Sequence, residues 1–176
     1  MGGEDLPEPE PLRVLVPFEV VQSDRQRMFA NMKGKPSLFK HLVGYVWRIE
    51  CTPQAGYHLH VALFFHGSWV DDSSNLAQRI GEYWRDSITP GRGRFQNVNR
   101  AWNKDSPHYG LGTINHFDVT KRANLSEKVL KYLCKDTQLV QVLPYAGCNL
   151  FGSSFAHRDN SKGRGRPRTK GVIGPI

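Results

Sequence analysis

Apolar positions along this chain follow two rhythms. Through residues 23–42, Met28, Phe29 and Met32 recur at helical spacing, and Gly34 and Pro36 interrupt the run, which predicts a broken helix. LVGYVWRIE (42–50) and YHLHVALFF (57–65) are instead rich in β-branched and aromatic residues. Between them TPQAG (52–56) offers a five-residue turn with Pro53 and Gly56, so the two runs predict a β-hairpin. Residues 73–88 read as a helix capped by Ser73 or Ser74, with Leu76, Ile80, Tyr83 and Trp84 as its apolar stripe. A polar loop follows, ITPGRGRFQNVNR (88–100), with three arginines and Phe95 set out among polar neighbours. GTINHFDV (112–119) is a third strand candidate. The clearest helical pattern covers 125–140: Asn124 stands three residues before Glu127, a capping-box-like start, and Leu125, Val129 and Leu133 line one side.

Helices mixed with antiparallel hairpins predict an α+β fold. At 176 residues there is one domain, expected over 13–156. The acidic, proline-rich residues 1–12 have little to bury and are expected to be disordered, and 157–176 form a basic, low-complexity tail. No internal repeat is visible. No apolar run approaches the roughly 18 residues that a membrane-spanning helix needs. The acidic N-terminus is the opposite of a secretory leader. Cys51, Cys134 and Cys148 are too few and scattered for a disulfide framework, so a reduced, cytoplasmic setting is expected.

Charge narrows the partners. The formal net charge is +8, and it is uneven: four carboxylates fall within residues 1–10, while 157–176 hold six Lys or Arg. A cationic body and tail favour a polyanion, because neutralising phosphates releases counterions. Many soluble proteins are equally basic, so this admits nucleic acid without selecting it. The candidate DNA contacts are Arg92 and Arg94 in the polar loop, Lys128 and Lys131 on the last helix, and Arg164, Arg166 and Arg168 in the tail.

Chemistry enters on the second hairpin strand. His58 and His60 share a face with Ala62 and Phe64, while Leu59, Val61, Leu63 and Phe65 face a core on the other side. The imidazoles then lie side by side on the outer face, able to hold one divalent cation. Glu50 ends the partner strand, and the turn brings it back beside His58 as a third ligand. Arg48 and Val46 share its face; Trp47 and Ile49 point to the buried side. Two imidazoles with a carboxylate suit Mg²⁺ or Mn²⁺ with positions open for phosphate oxygens. An exposed histidine pair with Glu50 as an ordinary edge charge fits the same pattern equally well. A histidine-triad nucleotide hydrolase is disfavoured, since position 62 is Ala. A structural zinc site is disfavoured too, since Cys51 faces away from Glu50 and no C-x-x-C occurs.

The last predicted helix carries Lys128, Lys131, Tyr132 and Lys135. Tyr132 and Lys135 stand one turn apart on one face, with Lys128 a turn before. A phenol with its usual pKa near 10 is a poor nucleophile, and a metal-polarised phosphate with nearby ammonium groups would remedy that. Tyr-x-x-Lys by itself also fits a tyrosine packing beside solvated lysines.

Carboxylate, H-x-H and a helical Y-x-x-K, in that order within one small domain, make a combination. On WRIE (47–50), GYHLHVALFFHG (56–67) and VLKYLCK (129–135), with YGLGTINHFDV (109–119) as weaker support, the chain resembles the HUH (His-hydrophobic-His) endonucleases over roughly 40–140. The resemblance is to the Rep-like single-tyrosine branch, nearest the inovirus-type gene-two replication proteins and their prophage relatives. It implies a central antiparallel sheet of about five strands flanked by helices, with an RRM-like topology. It implies His58 and His60 as metal ligands on a central strand, Glu50 as the third ligand, Tyr132 as nucleophile and Lys135 as its assistant. The implied activity is nicking of single-stranded DNA through a 5′-phosphotyrosine, starting rolling-circle replication of a phage or plasmid. An HUH transposase, or a non-catalytic prophage-derived DNA-binding protein, is the alternative. Some phage enzymes carry two tyrosines four apart on this helix. Here position 128 is Lys, so a second tyrosine would come from another subunit or a later cycle. An RNA-binding module would want exposed aromatics where His58 and His60 stand.

Lys162-Gly-Arg-Gly-Arg-Pro-Arg168 looks like an AT-hook, whose Arg-Pro core lies in a narrow A·T minor groove, though a solvated basic tail reads the same way. No G-x-x-x-x-G-K-[ST] occurs. Expected partners are therefore single-stranded or supercoiled origin DNA and the host's helicase, with the protein a monomer or weak dimer.

Overall fold

The computed structural model describes residues 16–155 apart from positions 54, 103, 107–108, 135–144 and 146. The N-terminal segment, Lys135, and the tail with Arg164, Arg166 and Arg168 lie outside the described residues. The molecule is α+β, and the expected hairpin is its centre. β1 (Leu42–Thr52) pairs antiparallel with β2 (Gly56–Phe65), in a register that sets Glu50 opposite His58 and Arg48 opposite His60. The connection is tight. Thr52 Oγ1 accepts the Ala55 N–H at 3.2 Å, and Gly56 turns at φ +65°, where a side chain would be strained.

The third strand is not where the pattern placed it. Residues 112–118 are irregular, and Phe117 and Val119 stand 71% and 73% exposed. With no apolar face to bury, that segment has no reason to join a sheet. β3 (Phe151–Phe155) takes the place instead, pairing antiparallel with the free edge of β1. Among the described residues the order is β2-β1-β3. Among these residues the carboxylate strand is central and the histidine strand, expected to be central, is an outer one.

Each face of the sheet carries its own helices. Tyr45, Trp47 and Ile49 of β1, with Leu59, Val61, Leu63 and Phe65 of β2, pack beneath α1 (Phe18–Asn31), α2 (Pro36–Phe39) and α3 (Ser73–Tyr83). α1 starts at Phe18, before the predicted run, because Phe18 and Val21 bury against Trp47 and Ile49. It ends through a 3₁₀ turn, Met32–Gly34, and Pro36 restarts the chain as α2. Asp72, and not Ser73 or Ser74, caps α3, its carboxylate accepting the Asn75 N–H at 2.8 Å. α3 runs on into a π-helical turn, Trp84–Ile88. Phe95 is half-buried, its ring laid over Gly81, and so is not exposed as its polar neighbours suggested. The short α4 (Val98–Ala101) follows.

The opposite face holds Val46, Arg48, Glu50, His58, His60 and Ala62. One continuous helix lies against it: α5 (Val119–Asn124), a π-helical stretch Leu125–Leu130, and α6 (Lys131–Cys134). It begins before the predicted start because Asp118 caps it, accepting the Lys121 N–H at 2.9 Å. Asn124 is no cap; its amide donates to the Tyr109 carbonyl at 3.4 Å. Gly110 lies so close that a Cβ there would sit 2.7 Å from the Asn124 carbonyl carbon. Among the described residues no helix is long and apolar enough to cross a membrane.

Gly152 is equally constrained. A Cβ on it would stand 2.8 Å from the Trp47 indole, which the Arg25 guanidinium covers at 3.9 Å. Gly152→Ala should therefore destabilise the fold by about 1–3 kcal/mol, as overpacking of a tight site does. Thermal unfolding reads this; an unchanged melting temperature would contradict the packing.

Candidate metal centre

Two strands and one helix build the site. On β1, Trp47 and Ile49 go into the core, so period-two alternation turns Arg48 and Glu50 to the other face. The hairpin register then sets His58 and His60 beside them. That face is covered, not open. Glu50 is 5% exposed and Arg48 8%, while the histidine side chains are each 31% exposed.

Glu50 Oε2 is the common point. It lies 3.1 Å from His60 Nε2 and 3.7 Å from His58 Nε2. One ligand atom from each of the three residues lies within 4.8 Å of the other two. Donors at right angles around an ion roughly 2.1 Å away stand about 3.0 Å apart, close to the separation of Glu50 Oε2 and His60 Nε2. His58 Nδ1 lies 3.1 Å from the Gly56 carbonyl, which can only accept. That contact makes Nδ1 the N–H and leaves Nε2 its lone pair, as a carbonyl behind a metal-ligating histidine does. Burial holds His60 below its ordinary value and outweighs the upward pull of Glu50, which favours the neutral imidazole that a metal needs. Glu50 Oε1 is buried and takes no hydrogen bond among the described residues. These features fit a metal ion, and the donor set accepts several divalent metals.

Tyr132 arrives from the helix. Its hydroxyl donates to Glu50 Oε2 at 3.3 Å, and its ring meets the His60 ring edge-on, centroids 5.4 Å apart. Glu50, His58, His60 and Tyr132, drawn from three elements, thus share one carboxylate oxygen. Lys128 is exposed one wide π-turn earlier on the helix, and the Lys131 ammonium donates to Glu127 at 2.9 Å. Arg92 is not brought here: it donates to buried Asp24 of α1 at 3.2 Å, beyond the opposite face of the sheet, and Arg94 is exposed in the same loop. Cys51 stands opposite Tyr57, away from the group, and all three cysteines are free thiols.

Arg48 was noticed in the sequence only as a neighbour on Glu50's face. Its Nε lies 3.3 Å from Glu50 Oε1, out of line for a hydrogen bond, and its Nη1 donates to the Leu133 carbonyl at 3.1 Å. The available signal was an arginine two residues before a candidate ligand carboxylate, on the same face and opposite a candidate ligand histidine.

The sequence model of the YagK/YfjJ C-terminal domain matches residues 18–154. The chain belongs to the YagK/YfjJ C-terminal domain family. In this YagK/YfjJ domain the match opens at the first residue of α1 and closes within β3, so it takes in both faces of the sheet and the whole candidate site. No curated protein and no solved structure matches the chain.

Divalent-ion binding should stabilise the protein, by about 2.7 kcal/mol at a hundredfold excess over Kd. His58→Ala combined with His60→Ala should abolish that shift and leave the fold intact. Low pH should oppose the metal, since both imidazoles must be neutral to bind it. For the metal-free protein the sign follows from His60. Its folded value lies below the unfolded one near 6.5, so stability is lost as pH falls through that value. Calorimetry with Mn²⁺ across pH 5–8 measures both effects, and an affinity that rises on acidification would exclude this ligand set.

Proposed function

We propose that this chain is a metal-dependent, single-tyrosine DNA nickase of the HUH type, an endonuclease and strand transferase that starts rolling-circle replication of a phage or plasmid. The observation that carries the reading is the Tyr132 hydroxyl 3.3 Å from Glu50 Oε2, on the carboxylate that also meets both histidines. Four residues of the kinds that phosphotyrosine chemistry requires converge on one point. A tyrosine merely packing beside solvated lysines would have no reason to reach that oxygen.

Bound Mg²⁺ or Mn²⁺ would supply positive charge for the phosphate oxygens of the DNA. Glu50, His58 and His60 hold that charge in place, and the helix brings the Tyr132 phenol within reach of the same point. The phenol oxygen attacks the scissile phosphorus, the Tyr–O–P bond forms, and the bond from phosphorus to the 3′ oxygen breaks. The departing oxygen takes up a proton, replacing the one the phenol gives up, and leaves as a free 3′-OH. No water is consumed, so the 5′-phosphotyrosine remains available for rejoining. Single-stranded or supercoiled origin DNA is the proposed partner, with Lys128 and Lys131 beside the path of the backbone and a host helicase unwinding the duplex. The reading carries with it an HUH sheet of about five strands, and Lys135 as the ammonium that assists Tyr132.

The test is a covalent adduct. Purified protein incubated with labelled single-stranded origin DNA and Mn²⁺ should yield a slower band on a denaturing gel. Peptide mapping should place the DNA on Tyr132. Tyr132→Phe removes one oxygen, so it should change stability by about 1 kcal/mol or less and leave Mn²⁺ affinity near wild type. The adduct should vanish. An adduct mapped to any other tyrosine would overturn the mechanism.

A further inference from the structure

The two oxygens of Glu50 keep different company. Oε2 meets both imidazoles and the Tyr132 hydroxyl, whereas Oε1 faces Arg48 Nε at 3.3 Å. The other arm of Arg48 donates to the carbonyl of Leu133 at 3.1 Å, the residue after Tyr132. A ring therefore closes: Tyr132 to Glu50, Glu50 to Arg48, Arg48 to Leu133, and back along the chain to Tyr132. Arg48 is 8% exposed and Glu50 5%, so water screens this arrangement weakly. The guanidinium is a rigid fork that addresses a carboxylate and a carbonyl from two separate nitrogens, where an ammonium has only one on a flexible stem.

We infer that Arg48 is a positioning residue that fixes the tyrosine helix on the metal-binding carboxylate, so that the ligand and the nucleophile keep one spacing. The inference rests on the nickase reading of the site. Plain neutralisation of Glu50 is an insufficient account, because it leaves the bond to Leu133 without purpose. Arg48 also works against the ion, since its buried positive charge repels any cation held by Glu50, His58 and His60. The site accepts weaker metal binding and gains a placed tyrosine.

Full-length Arg48→Met and Arg48→Lys, compared with wild type at pH 8, separate the two roles. Arg48→Met should bind Mn²⁺ about tenfold more tightly by calorimetry, because a repelling charge is gone. Amide hydrogen exchange of residues 125–134, without DNA, should accelerate by about tenfold or more as the helix loses its tie. Adduct formation at saturating Mn²⁺ should fall roughly a hundredfold, the scale on which a small misplacement of reacting atoms acts. Arg48→Lys should keep Mn²⁺ affinity within about threefold of wild type, yet show faster exchange and slower adduct formation. Weaker Mn²⁺ binding by Arg48→Met, or unaltered helix exchange in both variants, would overturn the assignment. If Arg48→Met does not fold, Arg48→Lys decides: wild-type exchange or a wild-type adduct rate refutes the inference, and faster exchange with slower adduct formation upholds it. Absence of any adduct from the wild type would refute the nickase reading instead, and Mn²⁺ affinity and exchange would still decide the role of Arg48.

Discussion

Glu50 is a carboxylate held in the central strand of the sheet at 5% exposure, and a charge so placed has to be answered from every direction. The answers come from three elements. Along its own strand Arg48 approaches one oxygen; across the hairpin His58 and His60 approach the other; from the helix above, Tyr132 donates a hydrogen bond to that same oxygen. None of these partners is local in the sense of a helical turn. Each depends on a register: that of the hairpin, that of the helix on the sheet, and that of alternate residues along β1. The burial that creates the demand also favours a neutral His60, so the charge invites a cation where an imidazolium would otherwise have satisfied it.

The site is polar, and its rigidity comes from the opposite face of the sheet. β1 serves both faces at once, with Trp47 and Ile49 in the core and Arg48 and Glu50 in the site. Trp47 is held between the Arg25 guanidinium and the backbone of Gly152, an arrangement that only a residue without a side chain allows on β3. α1 closes over the pair with Phe18 and Val21. Fixing the odd-numbered positions of β1 fixes the even-numbered ones, since neighbours on a strand cannot rotate independently.

How much of this was legible in the sequence depended on range. The hairpin and the pairing of Glu50 with His58 followed from short spacing and period-two alternation, and the structure has both, with a tighter turn because Thr52 and Gly56 already pair. The helix carrying Tyr132 was legible from its apolar stripe, but its start was not. Asp118 lay inside a strand candidate, and the π-helical widening at 125–130 has no signature at α-helical period. The third strand was misplaced for a related reason. Phe151–Phe155 is short and holds two serines and a glycine, a weak signal, whereas the apolar residues of 112–119 drew the strand expectation to a segment whose Phe117 and Val119 the fold leaves exposed. The arginines of the polar loop were legible only as charge, and the pairing of Arg92 with Asp24, a partner 68 residues away, has no signal in the sequence.

The two halves of the site are assembled over different distances, and this separates what each demands of the fold. His60 reaches Glu50 across 10 residues, a closure that one hairpin makes, while Tyr132 and Leu133 reach Glu50 and Arg48 across 82 and 85. Chain entropy makes the longer closure costlier by about 2 kcal/mol, since each doubling of loop length adds roughly 0.6. A tyrosine hydroxyl and a single carbonyl bond barely offset that, so the packing of buried Leu133 and the close seat at Gly110 have to supply the remainder. Ion binding therefore asks only for an intact hairpin on its core. Delivery of the phenol asks for the whole domain, and in the nickase reading the reactive group is in place only when folding is complete.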